Sequence, residues 1–359
     1  MGGAAAWHLA RRGLRVAGFD RFGPPHDQGS SHGETRIIRE AYFEDPRYVP
    51  LVRRAYTLWR ELERDFGRPL LRETGGLMIG REDGVVVRGA RASGDAHGLP
   101  YEILDAREIA LRYPALHPDP GTVAVREPRA GILFPEACVK AHLTLAARAG
   151  ADLRRDDPVL SWSADGEGIA VTTARGTVLA GSLILAAGAW MPSLLFGASL
   201  PLAVTRQPLF WFRPRGDAGL FDPGRFGVFI WEAEPGFVFY GFPAIEGRVK
   251  VARHLGGVPT SPDAVDRAFR ESEAAALRER LARSIPALDV PPADAAVCLY
   301  TSTADGHFVI DRHPAHSQVV VLSPCSGHGF KFASAIGEAA ADLATGRTPR
   351  FDLGLFRWR

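Results

Sequence analysis

GGAAAWHLARRGLRVAGFD, residues 2–20, decides the fold class of this chain. Small residues fill its first half and predict a closely packed helix, which Gly13 ends, and LRVAGFD (14–20) predicts a buried strand that ends in an acid. A helix followed by such a strand is the second half of a dinucleotide-binding βαβ unit, in which an acid about 20 residues after the glycine-rich turn contacts the ribose. We therefore expect an α/β protein with a doubly wound sheet, in which Gly2 is the last glycine of the turn and Asp20 is the ribose acid.

The complete unit would also contain a first strand and two earlier glycines before residue 2. We expect the natural protein to start upstream of Met1, with about 14 further residues that form this strand and a Gly-x-Gly-x turn.

Two later segments support the same fold. GTVLAGSLILAAGAW (176–190) predicts an apolar strand that ends in small residues, which let a ligand approach the backbone. SQVVVLSPCSGHGFKFASAIGEAAADLAT (317–345) predicts a strand, a glycine-rich turn and a helix whose N-terminus points at a ligand. The strand ends from these segments would gather at one edge of the sheet, where open α/β sheets bind ligands.

A pattern typical of an antiparallel sheet lies between these α/β segments. Residues 209–254 alternate β-branched and aromatic residues with turn signals, which predicts an antiparallel sheet, and Ser261-Pro262 predicts the start of a helix over 264–285. The sequence therefore predicts a doubly wound cofactor domain interleaved with a sheet-rich α+β substrate domain. We assign 1–75, 136–200 and 294–350 to the cofactor domain, and 76–135 and 201–293 to the substrate domain.

Composition excludes several classes of function. The net charge is +2, with 43 basic and 41 acidic residues interspersed, which argues against a nucleic-acid partner. No apolar stretch approaches the roughly 18 residues of a membrane span. Cys138, Cys298 and Cys325 have no paired spacing, so we expect neither disulfides nor a metal site, and a reducing, cytoplasmic compartment.

Lysine is rare in this chain: of the 43 basic residues only three, Lys140, Lys250 and Lys331, are lysine. Lysine is a compact charge with a movable pKa, whereas arginine is a planar fork that stays charged, so some chemistry requires lysine. Lys250 and Lys331 lie among glycines and aromatic residues, whereas Lys140 lies in a plain helical stretch and should be solvated. The alternative is that a bias toward arginine left three lysines at random.

Several motifs, in this order, resemble one family. They are GSSHGETRIIREAYFEDPRYVPL (29–51), YGFP (240–243) with Lys250 and His254, VCLYT (297–301) and SGHGFKF (326–332). The chain resembles the monomeric sarcosine oxidase and N-methyl amino acid oxidase family, flavin-dependent amine oxidases of the D-amino-acid oxidase superfamily. The resemblance covers nearly the whole chain and implies FAD as the cofactor.

The resemblance implies that Cys298 holds FAD through a thioether to the 8-methyl group of the flavin. Such a bond needs a thiolate, and nearby cations lower a thiol pKa, a role that His32 and Arg36 could fill. The alternative for Cys298 is a small buried hydrophobic residue, as most free cysteines are. Cys325 is expected to be structural.

The resemblance places Lys250 over the flavin ring, where it is implied to activate O2. A fixed ammonium in a dry site would stabilise the negative charge that develops on O2. Period-two alternation puts Lys250 on the same strand face as Ala252 and His254, toward the ligand, and the alternative is an exposed surface lysine.

Arg39 and Lys331 match the family's pair that binds the substrate carboxylate, since a guanidinium offers two parallel donors and an ammonium adds a third contact. The alternative for Arg39 is an ordinary salt bridge with Glu40 or Glu44. Glu44 matches a carboxylate near the pocket mouth, and packing is the alternative role for each matched position. Tyr240, His254 and Tyr300 also match positions around the substrate. The residues expected to take part in catalysis are Lys250, His254, Tyr240, Arg36 and His32. The positions expected to contact the cofactor, besides Cys298, are Gly2, Asp20, Ser30, Ser31, Val159, Gly188, Gly327, Gly329 and Lys331.

The resemblance implies a monomeric flavoprotein oxidase that converts sarcosine, or a related secondary amino acid such as N-methyltryptophan, pipecolate or proline, with O2 to an imine and hydrogen peroxide. For sarcosine the imine would hydrolyse to formaldehyde and glycine. Two alternatives remain open at this point: a dehydrogenase of the same fold with another electron acceptor, and an inactive relative that lost its cofactor.

Overall fold

The computed structural model of the chain describes residues 1–166, 168–196 and 198–359. The α-helices in these residues are α1 (Gly2–Ala10), α2 (Val49–Phe66), α3 (Val85–His97), α4 (Ala106–Arg112), α5 (Pro135–Arg148), α6 (Ser272–Ser284) and α7 (Ala333–Ala344). The first ten strands are β1 (Ala17–Phe19), β2 (Arg36–Ile38), β3 (Leu71–Glu73), β4 (Gly76–Arg81), β5 (Glu102–Asp105), β6 (Thr122–Glu127), β7 (Gly131–Leu133), β8 (Asp152–Arg154), β9 (Val159–Asp165) and β10 (Gly168–Thr173). The others are β11 (Gly176–Ala180), β12 (Leu183–Leu185), β13 (Ala203–Phe212), β14 (Val228–Glu234), β15 (Phe237–Gly241), β16 (Val249–His254), β17 (Val258–Pro259), β18 (Asp294–Ser302), β19 (Val309–His313) and β20 (His316–Ser323).

Parallel strand pairs with helices packed on them confirm the α/β class. β1 pairs parallel with β8, and β12 pairs parallel with β20, which β19 flanks in the antiparallel direction. Helix α1 packs between α5 and α7. The helix expected over 2–12 is observed as α1, and the strand expected over 14–20 is observed only over Ala17–Phe19. In the described part of the chain, no helix combines the length and the apolar character needed to cross a membrane.

A nine-stranded sheet forms the second structural layer and confirms the antiparallel pattern expected over 209–254. Its order is β17-β13-β16-β15-β14-β4-β6-β5, and β18 also pairs with β13. The β4–β14 pair is parallel and joins two distant segments of the chain. β18, which our domain boundary assigns to the cofactor domain, pairs with β13 from Asp294 to Ser302 and so carries Cys298 into this sheet. One face of the sheet is covered by α6 through Ala274, Leu277 and Leu281.

The helix expected over 264–285 is shorter than the sequence predicts, since α6 begins at Ser272. The buried Arg206 side chain explains the difference. Its guanidinium donates to the carbonyls of Asp266 (2.6 Å) and Ala268 (2.7 Å) and pairs with the carboxylate of Glu273. Carbonyl oxygens that a helix would use are thus bound to an arginine from β13, and helix propensity cannot anticipate such a tertiary partner.

Helices α1 and α7 pack closely because small residues lie where they meet. A Cβ at Gly337 of α7 would lie 2.5 Å from Cβ of Ala4 and 2.7 Å from its backbone carbon. Ala4 and Ala5 are both buried. Because backbone atoms cannot turn aside as a flexible side chain can, the two helices would have to separate if residue 337 carried a side chain.

Gly337→Ala should lower the free energy of unfolding by about 2 kcal/mol, because overpacking against the backbone of Ala4 exceeds the roughly 1 kcal/mol that alanine adds to a helix. Chemical denaturation measures the change. Gly224→Ala is the matched control, since its Cβ would meet nothing within 4 Å. Equal stability of the two variants would contradict the close packing of α1 on α7.

Candidate functional site

A large cleft of about 1390 Å³ runs from the N-terminus of α1 to the inner face of the nine-stranded sheet. Its volume exceeds the 300–1,000 Å³ typical of a site for one drug-sized ligand. At one end it passes between β1 and β12, where small residues from Ala186 to Ala189 follow the strand end. The cleft is therefore long enough for an extended cofactor with a substrate beyond it.

Most of the residues that the sequence points to meet in this cleft. Those that line it are Gly2, Asp20, Ser30, Ser31, Arg36, Arg39, Glu44, Val159, Gly188, Tyr240, His254, Cys298, Tyr300, Gly327, Gly329 and Lys331. His32 and Lys250 are not among the described residues that line the cleft. His32 contacts Cys298, which does line it, and Lys250 donates to the carbonyl of Thr35, the residue before Arg36. Lys140, expected to be solvated, is exposed on α5.

Strands β15, β16 and β18 of the nine-stranded sheet supply Tyr240, His254, Cys298 and Tyr300 to the inner wall of the cleft. Cys298 and Tyr300 share one face of β18, and Lys250 and His254 share one face of β16. Tyr240 of β15 pairs with Ala252 of β16, so its ring lies on the same wall. The centroid of the His254 ring is 6.5 Å from that of Tyr240 and 6.1 Å from that of Tyr300, which forms an aromatic pocket.

Cys298 lies between two nitrogen groups that favour its thiolate. Arg36 donates from NH2 to Sγ at 3.2 Å, and Nε2 of His32 lies 3.4 Å from the same sulfur. Burial opposes ionisation, but Arg36 and then His32 outweigh it and lower the pKa of Cys298 to about 6. By contrast, burial raises the pKa of Cys325 to about 11. Cys298 is thus the more nucleophilic of the two cysteines at neutral pH.

Lys250 is 2% exposed, and its ammonium is bound by backbone carbonyls. Nζ donates to the carbonyl oxygens of Gly33 (2.6 Å) and Thr35 (2.7 Å). Burial and then Arg36 lower the pKa of Lys250 well below its ordinary value. The lysine therefore lies beside the Arg36–Cys298 pair, one layer behind the cleft wall.

Arg39, Glu44 and Lys331 line the cleft together. NH2 of Arg39 donates to the Glu44 carboxylate at 2.6 Å, so Glu44 is the acid that pairs with it. Burial opposes ionisation of Glu44, but Arg39, His328 and Lys331 outweigh it and lower its pKa to about 2. Nε of Arg39 is buried and has no hydrogen-bond partner among the described residues. Burial and then Arg39 lower the pKa of Lys331 to about 7.

Two positions of the SGHGFKF motif require glycine, because neighbouring atoms leave no room for a Cβ. A Cβ at Gly329 would overlap the carbonyl oxygen of Pro324. Gly327 has a φ of 78°, and its Cβ would overlap the ring of Tyr300. The turn therefore packs directly on the aromatic pocket and presents Lys331, whose Nζ donates to the His328 carbonyl at 2.6 Å.

The two histidines of this region are neutral. Burial is the main cause that lowers the pKa of His254 to about 4 and that of His328 to about 3. His328 belongs to the SGHGFKF motif, and the sequence predicts no role for it. In the structure its Nδ1 hydrogen bonds with the hydroxyl of Tyr42, and its Nε2 lies 3.0 Å from the carbonyl of Gly306. His328 thus ties the turn to the segment that follows Arg39.

Sequence reasoning missed the carboxylates behind the cleft. Glu136 accepts hydrogen bonds from the backbone of Gly33 (2.7 Å) and Glu34 (3.1 Å), and Glu127 accepts from Glu40 (2.7 Å) and Ala41 (2.8 Å). Burial raises the pKa of Glu127 to about 7. No local motif marks either residue, because each contacts a segment about 90 to 100 positions away in the chain.

The comparisons with known proteins agree on one family. The family model described as FAD dependent oxidoreductase matches residues 1–343. The monomeric sarcosine oxidase of Streptomyces avermitilis is 45% identical over 99% of this chain and 94% of its own length. An N-methyl-L-tryptophan oxidase of Salmonella heidelberg is 35% identical over 99% of this chain and 95% of its own.

The solved structure of NikD, described as an unusual amino acid oxidase essential for nikkomycin biosynthesis, has a TM-score of 0.86 at 27% identity and covers 99% of this chain and 94% of its own. The glycine oxidase of Geobacillus kaustophilus shares the fold, with a TM-score of 0.83 at 21% identity over 100% of this chain and 95% of its own.

Arg36→Met should raise the pKa of the Cys298 thiol by about 1 to 3, because burial remains when the guanidinium is removed. Thiolate absorbance in the ultraviolet, followed against pH in the flavin-free protein, measures the value. Cys325→Ser should leave the titration near pH 6 unchanged and Cys298→Ser should abolish it. A titration near pH 6 that persists in Cys298→Ser would assign the thiolate to another residue.

Proposed function

The chain belongs to the family of FAD dependent oxidoreductases, and from this premise we propose that it oxidises a small N-methyl amino acid, with sarcosine as the leading substrate. The observation that carries the proposal is the buried Arg39–Lys331 pair, with its unpartnered Nε, at the end of a cleft that also contains the Cys298 thiolate. A cationic pair in a dry pocket selects a carboxylate. Two sarcosine oxidases and an N-methyl-L-tryptophan oxidase among the similar proteins support an amine as the other reacting group.

The residues of the cleft fit FAD. Asp20 directly follows β1, where a ribose acid is expected, and the N-terminus of α1 with Gly2 lines the cleft, as suits a diphosphate. Cys298 has the ionisation that covalent attachment needs, so we propose that it holds the flavin through a thioether. FAD supplies the two-electron oxidation of the amine, and the protein supplies position and electrostatics.

Substrate recognition follows from the charges at the inner end of the cleft. Arg39 and the ammonium of Lys331, which both line the cleft, would bind the carboxylate of sarcosine. Together with Arg36 these groups disfavour a second cation nearby, so the substrate amine binds uncharged. Tyr240, His254 and Tyr300 form the aromatic pocket around the N-methyl group. The proposed overall reaction is sarcosine, O2 and water to glycine, formaldehyde and hydrogen peroxide.

Lys250 is the residue that we propose favours O2 as the electron acceptor. Two of its three N–H groups bind carbonyls, and the residue lies beside Arg36 in a site that excludes water. Positive charge fixed in such a site stabilises the negative charge that O2 acquires on reduction. We further propose a monomeric enzyme of the cytoplasm, consistent with the three free cysteines.

Cys298→Ser should lose covalently bound flavin, because a hydroxyl at this place does not ionise at neutral pH. The wild type and a matched Cys325→Ser variant should keep yellow flavin with the acid-precipitated protein. Peptide mass mapping locates the adduct. Flavin released into the wild-type supernatant, or an adduct on Cys325, would refute the attachment site.

Lys250→Met and Lys331→Met should affect different halves of the reaction. The wild type should be reduced by sarcosine without air and should form one hydrogen peroxide per turnover with air. Lys250→Met should slow reoxidation by O2 by about 100-fold or more and leave anaerobic reduction nearly unchanged. Lys331→Met should raise the sarcosine concentration needed for half-saturation roughly 10- to 150-fold, as expected from the loss of a charge-assisted hydrogen bond.

Stopped-flow spectra of the bound flavin measure both half-reactions. A colourless wild-type protein would favour the inactive relative, and a wild type reduced by sarcosine that forms no peroxide would favour the dehydrogenase. If both variants slowed the same half-reaction equally, the separate roles of Lys250 and Lys331 would be wrong.

A further inference from the structure

Strand β2 is held at both ends by a carboxylate that accepts two successive backbone N–H groups. Before the strand, Oε1 of Glu136 accepts from Gly33 at 2.7 Å and from Glu34 at 3.1 Å. After the strand, the two oxygens of Glu127 accept from Glu40 at 2.7 Å and from Ala41 at 2.8 Å. We call these two interactions the carboxylate clamps of β2. Charge-assisted bonds of this kind are stronger than bonds between neutral groups.

Both clamps come from residues on either side of β7, the antiparallel partner of β2. Arg36 pairs with Leu133, and Ile38 pairs with Gly131. Glu127 is the last residue of β6, ahead of β7, and Glu136 lies in the first turn of α5, just after β7. The pairing thus sets the register of β2, and the clamps fix the backbone where the strand starts and ends.

The Glu136 clamp fixes the turn that holds Lys250. Gly33 and Glu34 have φ values of 92° and 68°, and a left-handed conformation of Glu34 needs outside contacts to persist. The carbonyl oxygens of Gly33 and Thr35 in this turn accept hydrogen bonds from the ammonium of Lys250. The Thr35 carbonyl also accepts a hydrogen bond from Nη1 of Arg36 at 2.7 Å. Loss of the clamp would therefore move the oxygens that position Lys250.

The Glu127 clamp fixes the segment that holds Arg39. Ala41 donates its N–H to Glu127, and its carbonyl accepts from NH1 of Arg39 at 2.9 Å. Arg39 precedes the clamped residues directly in the chain. The orientation of its guanidinium, and hence of the unpartnered Nε, depends on this segment.

We infer that Glu136 and Glu127 are positioning residues with separate roles: Glu136 sets the reactivity with O2 through Lys250, and Glu127 sets recognition of the substrate carboxylate through Arg39. This inference rests on the proposed function, because reactivity with O2 and recognition of a carboxylate are properties that the proposed function assigns to the site. It goes beyond that function because neither carboxylate lines the cleft.

Glu63 offers a matched control. Its Oε1 accepts from the successive N–H groups of Leu70 and Leu71, at 2.7 and 2.8 Å, and these residues lead into β3, which pairs with the other edge of β7. The interaction is of the same kind in the same small sheet, but the segment that it holds carries none of the proposed site residues.

The experiment compares Glu136→Gln, Glu127→Gln and Glu63→Gln as flavin-loaded proteins. The first readout is the rate at which O2 reoxidises flavin reduced with dithionite, and the second is the Kd of acetate, an amine-free carboxylate, from the change in the flavin spectrum. Glu136→Gln should slow reoxidation about tenfold and leave the Kd within about twofold. Glu127→Gln should raise the Kd about tenfold and leave reoxidation within about twofold, and Glu63→Gln should change neither.

Glu136→Asp and Glu127→Asp are second variants, which keep the charge but withdraw it by one methylene, and they should shift the same readouts in the same directions. The inference is overturned if both positions change both readouts equally, if neither changes its own, or if Glu63→Gln changes them as much. Since neither readout uses sarcosine, a wild type that sarcosine fails to reduce would refute the proposed function and leave this comparison intact.

Discussion

The site depends on hydrogen bonds from buried cations to backbone carbonyl oxygens. Lys250 and Lys331 each bind carbonyls, and Arg36 donates to the carbonyls of Ser30 and Thr35. Among the four cations of the described site, Arg39 alone pairs with a carboxylate. An unpaired buried ion costs several kcal/mol, and carbonyl dipoles offset part of that cost without neutralising the charge. The charge of Arg36 is therefore not neutralised by a carboxylate, and it lowers the pKa of Cys298.

Sequence reasoning could anticipate the elements whose signals are local. The small residues of α1 and the turn with Gly327 and Gly329 predict close approach, and the structure shows the backbone and ring atoms that require it. Alternation along β16 and β18 places His254, Cys298 and Tyr300 on the cleft wall. The family resemblance is confirmed over residues 1–343. The roles of individual residues and the domain boundaries stay predictions.

Features that depend on distant partners could not be read from the sequence. The start of α6 depends on Arg206, 66 positions before Ser272, and the clamps of β2 join residues about 90 to 100 positions apart. Lys250 lies behind the cleft wall, because the carbonyls of Gly33 and Thr35 hold its ammonium. Alternation predicts the face of a strand to which a side chain belongs, but tertiary partners decide how far it reaches.

The parallel pair of β4 and β14 has a consequence for how the chain folds. It joins Gly76–Ile79 to Val228–Trp231, so β4 can pair with β14 only after about 150 intervening residues have been synthesised. β18, which carries Cys298, joins β13 later still in the chain. Contacts between such distant residues form slowly, since the entropy of a long loop must be lost before the contact stabilises the sheet. During synthesis β4 therefore keeps an unpaired edge until β14 has been made, and the inner wall of the cleft is incomplete until β18 has joined β13.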